Sequence, residues 1–319
     1  MVMAFRKKYF YYLIAVLVIV SVVFYAGFVS KTFRHHVTVP YDMLKTGEQL
    51  YNPANLVKWY IPFLQTGTQS FDITTKNTIV SGNYSLEITD QSLISVVLKT
   101  HSGTNTKEFF FTAAPDTLNA QESMITLSYR NTLFNEWFKR DELVKNALQS
   151  LTNLKDYMED TKRMYGFEIS LTTVVDTSFL FISETVPVDE KRVATKKLFE
   201  QLFAYADKKK AGYNGIRIFY SQKSGDEITL FASIGVTNRI NIPPADPFQY
   251  KMMPLGKNLL EAVYQGPYGE SDKVFRALES FKKDHGLVSM AIPFQKFLSD
   301  GYDFADDQIV QMKVYFPIF

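Results

Sequence analysis

The residues that most often perform chemistry in proteins are few in this chain and form no recognisable catalytic set. The sequence contains no cysteine, which excludes thiolate catalysis, cysteine-ligated metals and disulfide bonds. Its four histidines are His35, His36, His101 and His285. No two of them have the spacing of two metal ligands on one helix face. The sequence therefore predicts no catalytic residue, no metal site and no cofactor.

Charge and aromatic content indicate the kind of partner to expect. The chain has 35 Lys and Arg residues against 33 Asp and Glu, and this balance argues against nucleic acid, which requires a clearly basic face. Aromatic residues make up 15% of the chain, with 27 Phe and 19 Tyr. This excess fits a pocket for a small hydrophobic or aromatic ligand, and it fits a Phe-rich core equally well. We predict no nucleic-acid partner.

An unbroken apolar run lies near the N-terminus, where residues 9–29 read YFYYLIAVLVIVSVVFYAGFV. About 20 apolar residues span the hydrocarbon core of a bilayer as a helix, and aromatic residues at both ends suit the headgroup level. The alternative is a cleaved signal peptide, whose apolar region is normally shorter and ends in a small-x-small site. We predict a single-pass transmembrane anchor over residues 1–32.

The basic residues that flank this run indicate its orientation. Arg6, Lys7 and Lys8 precede the run, and Lys31 and Arg34 follow it. Because cytoplasmic flanks carry more Lys and Arg, we predict a cytoplasmic N-terminus, with the soluble part of the chain outside the cytoplasm.

Residues 33–164 show a first strand, two short helices, a series of strands and one long helix. Residues 33–39 alternate as a strand does, and Pro53 suits a helix start. The later strand candidates are Ser70–Thr75, Asn83–Thr89, Leu93–Thr100, Lys107–Ala113 and Ser123–Tyr129. Apolar residues then recur at helical spacing over residues 136–163. The pattern predicts an antiparallel sheet followed by a long amphipathic helix.

This region resembles the SRPBCC (polyketide cyclase-like, START-related) helix-grip family. The resemblance lies in Asn52–Trp59, similar to that family's helix pair, and in Leu151–Glu159, similar to its terminal helix. It implies a long helix packed across a curved sheet, with an apolar cavity between them for a hydrophobic ligand. No acid or histidine in this stretch is placed for chemistry, and a helix that simply closes the core is the alternative.

Residues 165–319 contain an internal repeat at a shift of 80 residues. Each unit reads strand, helix, strand, strand (β-α-β-β), over about residues 166–240 and 246–319. Two such units can bury their apolar faces by pairing about a pseudo-two-fold axis, and the cleft along that axis suits a small molecule. The aligned segments are Thr177–Val188 with Lys257–Tyr268, and Glu227–Val236 with Asp307–Phe316.

The same region resembles the GyrI-like (SOUL-superfamily, AraC-effector-binding) domain. The resemblance is carried by the order and spacing of Ala262–Gly269, Pro293–Asp300 and Val314–Ile318. It implies the binding of diverse small molecules, often drug-like or cationic, as the sensing half of transcription regulators. Some stand-alone members are hydrolases. Nothing N-terminal to the domain reads as a DNA-binding helix-turn-helix.

The resemblance also implies a ligand site, with the candidate residues Tyr264, Tyr268, Phe294, Lys313 and Tyr315. The family usually presents an acidic residue at the position of Lys313, where a carboxylate attracts a cation and can act as a general base. Lysine favours an anionic or carbonyl-bearing ligand instead, unless only its stem lies in the cleft. The four aromatic residues fit plain sheet packing equally well.

Two glutamates, Glu184 and Glu261, lie on the first strand of each repeat. Alternation along a strand points one of them inward, and a solvated strand face is the simpler interpretation.

Together these patterns predict an α+β protein. It comprises a transmembrane helix (residues 1–32), a helix-grip domain (residues 33–164) and a duplicated GyrI-like domain (residues 165–319). The predicted function is membrane-anchored, non-covalent binding or sensing of a small molecule in the GyrI-like cleft, with a second site in the helix-grip cavity. A hydrolase acting in the same cleft and a structural or partner-binding protein are the alternatives.

Overall fold

The computed structural model describes residues 2–64, 72–75, 78–119, 121–138, 141–289 and 291–318. The chain forms two compact units, Met1–Glu159 and Asp160–Phe319. Each unit combines helices with one sheet, and every strand pair that the structure describes is antiparallel. The α+β class is therefore confirmed. The domain limits at residues 33, 164 and 165 stay a prediction.

The first element is helix α1 (Val2–Phe28). Its residues 10–28 are apolar and numerous enough to cross a membrane, and only 6% of this stretch is buried. An apolar helix in the core of a globular domain would be mostly buried, so α1 does not belong to a core. A signal sequence shares the length, composition and N-terminal position. The helix is thus a candidate membrane span.

The described part of the first unit continues with five helices and seven strands that form one sheet. The helices are α2 (Met43–Tyr51), α3 (Pro53–Trp59), α4 (Ile61–Leu64), α5 (Leu133–Phe138) and α6 (Glu142–Glu159). The strands are β1 (Ser30–Val39), β2 (Asp72–Thr75), β3 (Thr78–Ser81), β4 (Tyr84–Gln91), β5 (Ser95–Ser102), β6 (Asn105–Pro115) and β7 (Ser123–Thr132). Their order in the sheet is β1-β7-β6-β5-β4-β3-β2. Residues 70 and 71 of the strand candidate Ser70–Thr75 lie outside the described residues.

The core of the first unit lies between one face of this sheet and the helices. Strands β5 and β7 bury every second side chain, as expected where one face is covered and the other is not. Helix α2 packs against β5, β6 and β7, and α6 packs against β1, α3 and α4. The buried indole N–H of Trp59 donates to the backbone oxygen of Gln49 at 3.1 Å, which ties α3 to α2.

The predicted single helix over residues 136–163 is wrong. The structure has three helices there, α5, α6 and α7 (Thr161–Tyr165), and residues 139 and 140 lie outside the described residues. The Asp141 carboxylate accepts a hydrogen bond from the backbone N–H of Val144 at 3.2 Å, and Asp160 accepts two from the first turn of α7. Such caps start new helices because they satisfy the first N–H groups, even where apolar spacing continues.

In the second unit, helices α7, α8 (Lys191–Lys208) and α9 (Asp272–Asp284) accompany an eight-stranded sheet, counted over the described residues. Its strands are β8 (Ile169–Thr173), β9 (Ser178–Pro187), β10 (Tyr213–Ser224), β11 (Glu227–Val236), β12 (Gln249–Met252), β13 (Asn258–Pro267), β14 (Phe294–Phe297) and β15 (Ile309–Pro317). Their order is β12-β9-β11-β10-β14-β15-β13-β8. The succession strand, helix, strand, strand occurs twice, as β9-α8-β10-β11 and β13-α9-β14-β15.

The two faces of this second sheet differ in what covers them. On one face, α8 and α9 pack with the strands into a large apolar core that includes Leu198 and Leu278. The opposite face carries a smaller apolar cluster, made of Val174, Phe179, Ile216, Ile218, Leu259, Phe294 and Tyr315. Along α8 the buried residues are Ala194, Thr195, Leu198, Phe199, Leu202 and Ala206. The neighbouring Val193 is 74% exposed, because it lies one position beside this buried face.

Candidate functional site

A cavity of about 260 Å³ opens on the face of the second sheet that lies opposite α8 and α9. Its walls come from β13, β14 and β15, from Phe179 and Ile218 on β9 and β10, and from residues 172–176 and 253. Strand alternation explains its lining. On β13, Leu260 and Ala262 point into the helix-side core, so Leu259 and Glu261 point into the cavity.

An ion pair lies in this cavity. The Lys313 ammonium is 2.8 Å from Oε1 of Glu261, and their side chains are 35% and 16% exposed. The two residues are diagonal neighbours across β13 and β15, because Glu261 pairs with Tyr315 and Val263 pairs with Lys313. A partly exposed pair of this kind stabilises a fold by only about 0–1 kcal/mol. Its main effect is therefore to hold two opposite charges at the wall of an apolar cavity.

Tyr315 completes this group. Its hydroxyl lies near the Glu261 carboxylate and interacts with it. Burial, and then this interaction with Glu261, raise the pKa of Tyr315 above its ordinary value, so the hydroxyl stays protonated. The Tyr315 ring lies beside the ring of Phe294, with centroids 5.1 Å apart and planes tilted by 30°. The cavity thus combines an aromatic wall with a carboxylate, an ammonium and a hydroxyl group.

A second ion pair lines the same cavity. The Lys296 ammonium donates to Oδ2 of Asp176 at 2.8 Å, and both residues are partly exposed. Lys296 lies opposite Lys313 in the pairing of β14 with β15. Each lysine therefore has its own carboxylate, and the four charges sum to zero. A ligand in this cavity meets alternating charges rather than a single sign.

The structure brings three of the five candidate residues into this cavity, namely Phe294, Lys313 and Tyr315. Tyr264 lies in the helix-side core, and its hydroxyl donates to the backbone oxygen of Pro267 at 2.6 Å. Tyr268 lines two open grooves of about 440 and 450 Å³ near the start of α9. Its hydroxyl accepts a hydrogen bond from Nε2 of Gln295 at 3.1 Å, and burial raises its pKa to about 12.

Sequence reasoning missed Asp176 and Lys296, and favoured a solvated strand face for Glu261. Glu184 lies on the helix-side face of β9, in alternation with Ile182 and Val186, where it pairs with Lys197 of α8 at 3.1 Å and is 35% exposed. The sequence feature that could have placed Glu261 on the cavity side is its alternation with the apolar Leu260 and Ala262. Asp176 had no such feature, because it precedes β9 in a connecting segment. In the described part of the chain, no three or more histidine, aspartate or glutamate residues are grouped so that they could hold a metal ion.

Comparison with known proteins bears on the second unit. A family model described as the GyrI-like small molecule binding domain matches residues 167–318. No match to the helix-grip family accompanies it. A comparison with curated proteins gives no match.

Solved structures show only distant likenesses. EcmrR, in a cryo-EM structure of its DNA complex, is 11% identical with a TM-score of 0.40, over 58% of this chain and 70% of EcmrR. The EcmrR C-terminal domain is 13% identical with a TM-score of 0.36, over 48% of this chain and 98% of that domain. DynU16, from the dynemicin biosynthetic locus, is 10% identical with a TM-score of 0.31, over 90% of this chain and 86% of DynU16. At these scores the likenesses carry no argument about ligand or partner, and the family match stands by itself: residues 167–318 are a GyrI-like small-molecule-binding domain.

Proposed function

We propose that this chain is a membrane-anchored protein that binds a small molecule, without covalent chemistry, in the cavity that holds Glu261 and Lys313. The observation that carries the proposal is this cavity on a GyrI-like domain, with an aromatic wall and fixed polar groups. Ligand sites are typically apolar concavities with a few placed polar groups, in volumes of roughly 300–1,000 Å³. At about 260 Å³, this one suits a compact ligand.

The internal ion pairs define the class of ligand. A lone cation would have to compete with Lys313 for Glu261, and a lone anion would have to compete with Glu261 for Lys313. A neutral or zwitterionic aromatic molecule interacts with both members of a pair at once, and its ring can pack on Phe294 and Tyr315. We therefore expect an uncharged or zwitterionic aromatic ligand. From Lys313 alone, the expected ligand was anionic or carbonyl-bearing; the ion pair with Glu261 removes the preference for an anion.

Binding can be tested with four aromatic probes that differ in charge: benzyl alcohol, phenylalanine, benzoate and benzyltrimethylammonium. Isothermal titration calorimetry on the full chain in detergent should show the first two binding more tightly than the last two. Met253→Trp should fill the cavity and abolish binding, because Met253 lines it. Met252→Trp is the matched control, since the neighbouring Met252 is exposed and does not line the cavity. Binding that survives Met253→Trp would refute this site.

A hydrolase is the second candidate, and the contact between Tyr315 and Glu261 favours it. A carboxylate can accept a proton from water, and a protonated tyrosine can donate to the developing oxyanion of an ester. Lys313 opposes this role, because its ammonium already occupies the carboxylate that would have to accept the proton. The test is a series of aromatic esters: turnover that disappears in Glu261→Gln and persists in Glu184→Gln would establish the enzyme.

The finer architectural predictions belong to the same proposal. The twofold succession of elements and the strand order support a duplication with pseudo-two-fold symmetry. The antiparallel sheet and helices α2, α3 and α6 support a helix-grip domain in the first unit. The exposed apolar α1 supports the anchor through residues 9–29. The absence of a nucleic-acid partner stays a prediction that rests on charge balance alone.

A further inference from the structure

Helix α5 lies beside the end of the proposed membrane span. Helix α1 ends at Phe28, and β1 begins at Ser30, which pairs with Thr132 at the end of β7. Helix α5 follows at Leu133 and packs against both α1 and β7. A span that ends at Phe28 therefore brings α5 to the level at which the chain leaves the membrane.

Two hydrogen bonds determine which side of α5 faces the protein. Oε1 of Glu136 accepts from the Tyr129 hydroxyl at 2.9 Å, and Oε2 accepts from Nδ2 of Asn131 at 2.9 Å. Successive residues of a helix are about 100° apart. Phe134 and Phe138, two positions before and after Glu136, therefore lie on the opposite side of α5. Their rings contact each other, with centroids 4.6 Å apart.

The outward side of α5 is unusually rich in exposed aromatic surface. Trp137 is 65% exposed and Phe138 is 58% exposed. On the last turn of α1, Phe24 and Phe28 are likewise stacked and exposed. Large aromatic rings at such exposure are costly in water and favourable at the headgroup level of a bilayer.

Basic side chains lie beside this surface. Lys31 is exposed, with its ammonium 5.7 Å from the centre of the Tyr25 ring. Arg34 and Arg130 are also exposed, on the two neighbouring strands that begin and end there. Aromatic rings flanked by Lys and Arg are the composition of segments that lie in the interface of anionic membranes.

We propose that α5 is a second membrane contact, in which Phe134, Trp137 and Phe138 insert into the headgroup region of the bilayer that α1 spans. This inference rests on the anchoring part of the proposed function and is independent of the ligand cavity. The occupant is lipid rather than protein because α5 packs against α1, the candidate membrane span, beside its end at Phe28. The contact would hold the first unit at a fixed tilt against the membrane, instead of leaving it on a free tether.

The chain provides its own reporter, because it contains only two tryptophans. Trp59 is fully buried, and Trp137 is exposed. The full chain is reconstituted into vesicles of phosphatidylcholine and phosphatidylglycerol whose acyl chains are brominated close to the headgroup. The emission spectrum of the Trp137→Phe variant is subtracted from that of the unaltered chain, which isolates Trp137 and keeps Trp59 as the internal control.

We expect most of the Trp137 emission to be lost in brominated vesicles and blue-shifted in unbrominated ones, with Trp59 unchanged. A chain that floats with the vesicles but keeps its Trp137 emission would overturn the second contact while leaving the anchor intact. A blue shift without quenching would also overturn it, since a protein partner or a second copy would then cover α5. A chain that does not float would remove the anchor and the contact together, and ligand binding by the four probes would be unaffected.

Discussion

Replacement of Lys313 by methionine tests the role of the internal ion pair most directly. Methionine keeps the length and apolar stem of lysine, so the cavity wall stays filled while the ammonium 2.8 Å from Glu261 is removed. Glu261 then keeps its interaction with the Tyr315 hydroxyl, and its negative charge is no longer neutralised by Lys313. The Lys313→Met cavity should therefore prefer cations.

The expected size of the change follows from the geometry. Two unit charges about 4 Å apart interact by about 4 kcal/mol at an effective dielectric constant of about 20. The desolvation of the cation and the partial exposure of Glu261 reduce this gain to roughly 1–3 kcal/mol. We expect benzyltrimethylammonium to bind about ten- to a hundredfold more tightly than to the unaltered chain. Benzyl alcohol, which has no charge, should change little.

The assay is titration calorimetry of both probes against three chains: unaltered, Lys313→Met and Lys197→Met. Lys197→Met is the matched control, because it removes the partner of Glu184 outside the cavity. The ratio of the two affinities should shift only in Lys313→Met. A ratio that is equal in all three chains would mean that Lys313 does not govern the charge preference, and the reasoning from the ion pair would fail.

Packing and titration in the second unit give two further predictions. Leu198→Ala should lower its stability by about 2–5 kcal/mol because it leaves a cavity at a fully buried site, whereas Val193→Ala should change it by less than about 0.5 kcal/mol. Thermal unfolding followed by near-ultraviolet circular dichroism measures both, and equal effects would contradict the packing of α8. Burial raises the pKa of Tyr268 from 10.0 to about 12, so the folded state resists loss of this proton. Stability is then fully present below pH 10 and falls as the pH rises towards about 12. In Tyr268→Phe, the free energy of unfolding measured with urea should fall less steeply between pH 10 and about 12. A fall as steep as that of the unaltered chain would contradict the raised pKa of Tyr268.

Much of the second sheet follows from the sequence because its strands obey simple alternation. The predicted strand over Glu227–Val236 coincides with β11, and the succession of elements in both halves matches the expected one. The edge strands β8 and β12 were not predicted. They are only five and four residues long, which is too short for alternation to stand out from a loop.

The helix boundaries in residues 136–165 show a different limit. Apolar spacing predicts where a helix is favourable, but it does not register a side chain that competes for the same backbone groups. Asp141 and Asp160 each accept backbone N–H groups, so each starts a new helix.

The charged residues of the cavity required knowledge of the fold, because alternation states only that neighbours point to opposite faces. Which face of β13 meets α9 determines whether Glu261 is solvated or lies in the cavity, and this depends on how that helix packs. The acidic residue that the family resemblance places at position 313 is replaced here by a lysine, yet the cavity still contains a carboxylate, supplied from β13 and neutralised by that lysine. Reading position 313 alone predicts a positive cavity, whereas the pair makes it neutral. The charge of the site is thus a property of two adjacent strands together, and the proposed preference for neutral or zwitterionic ligands rests on the register of β13 and β15 rather than on either residue by itself.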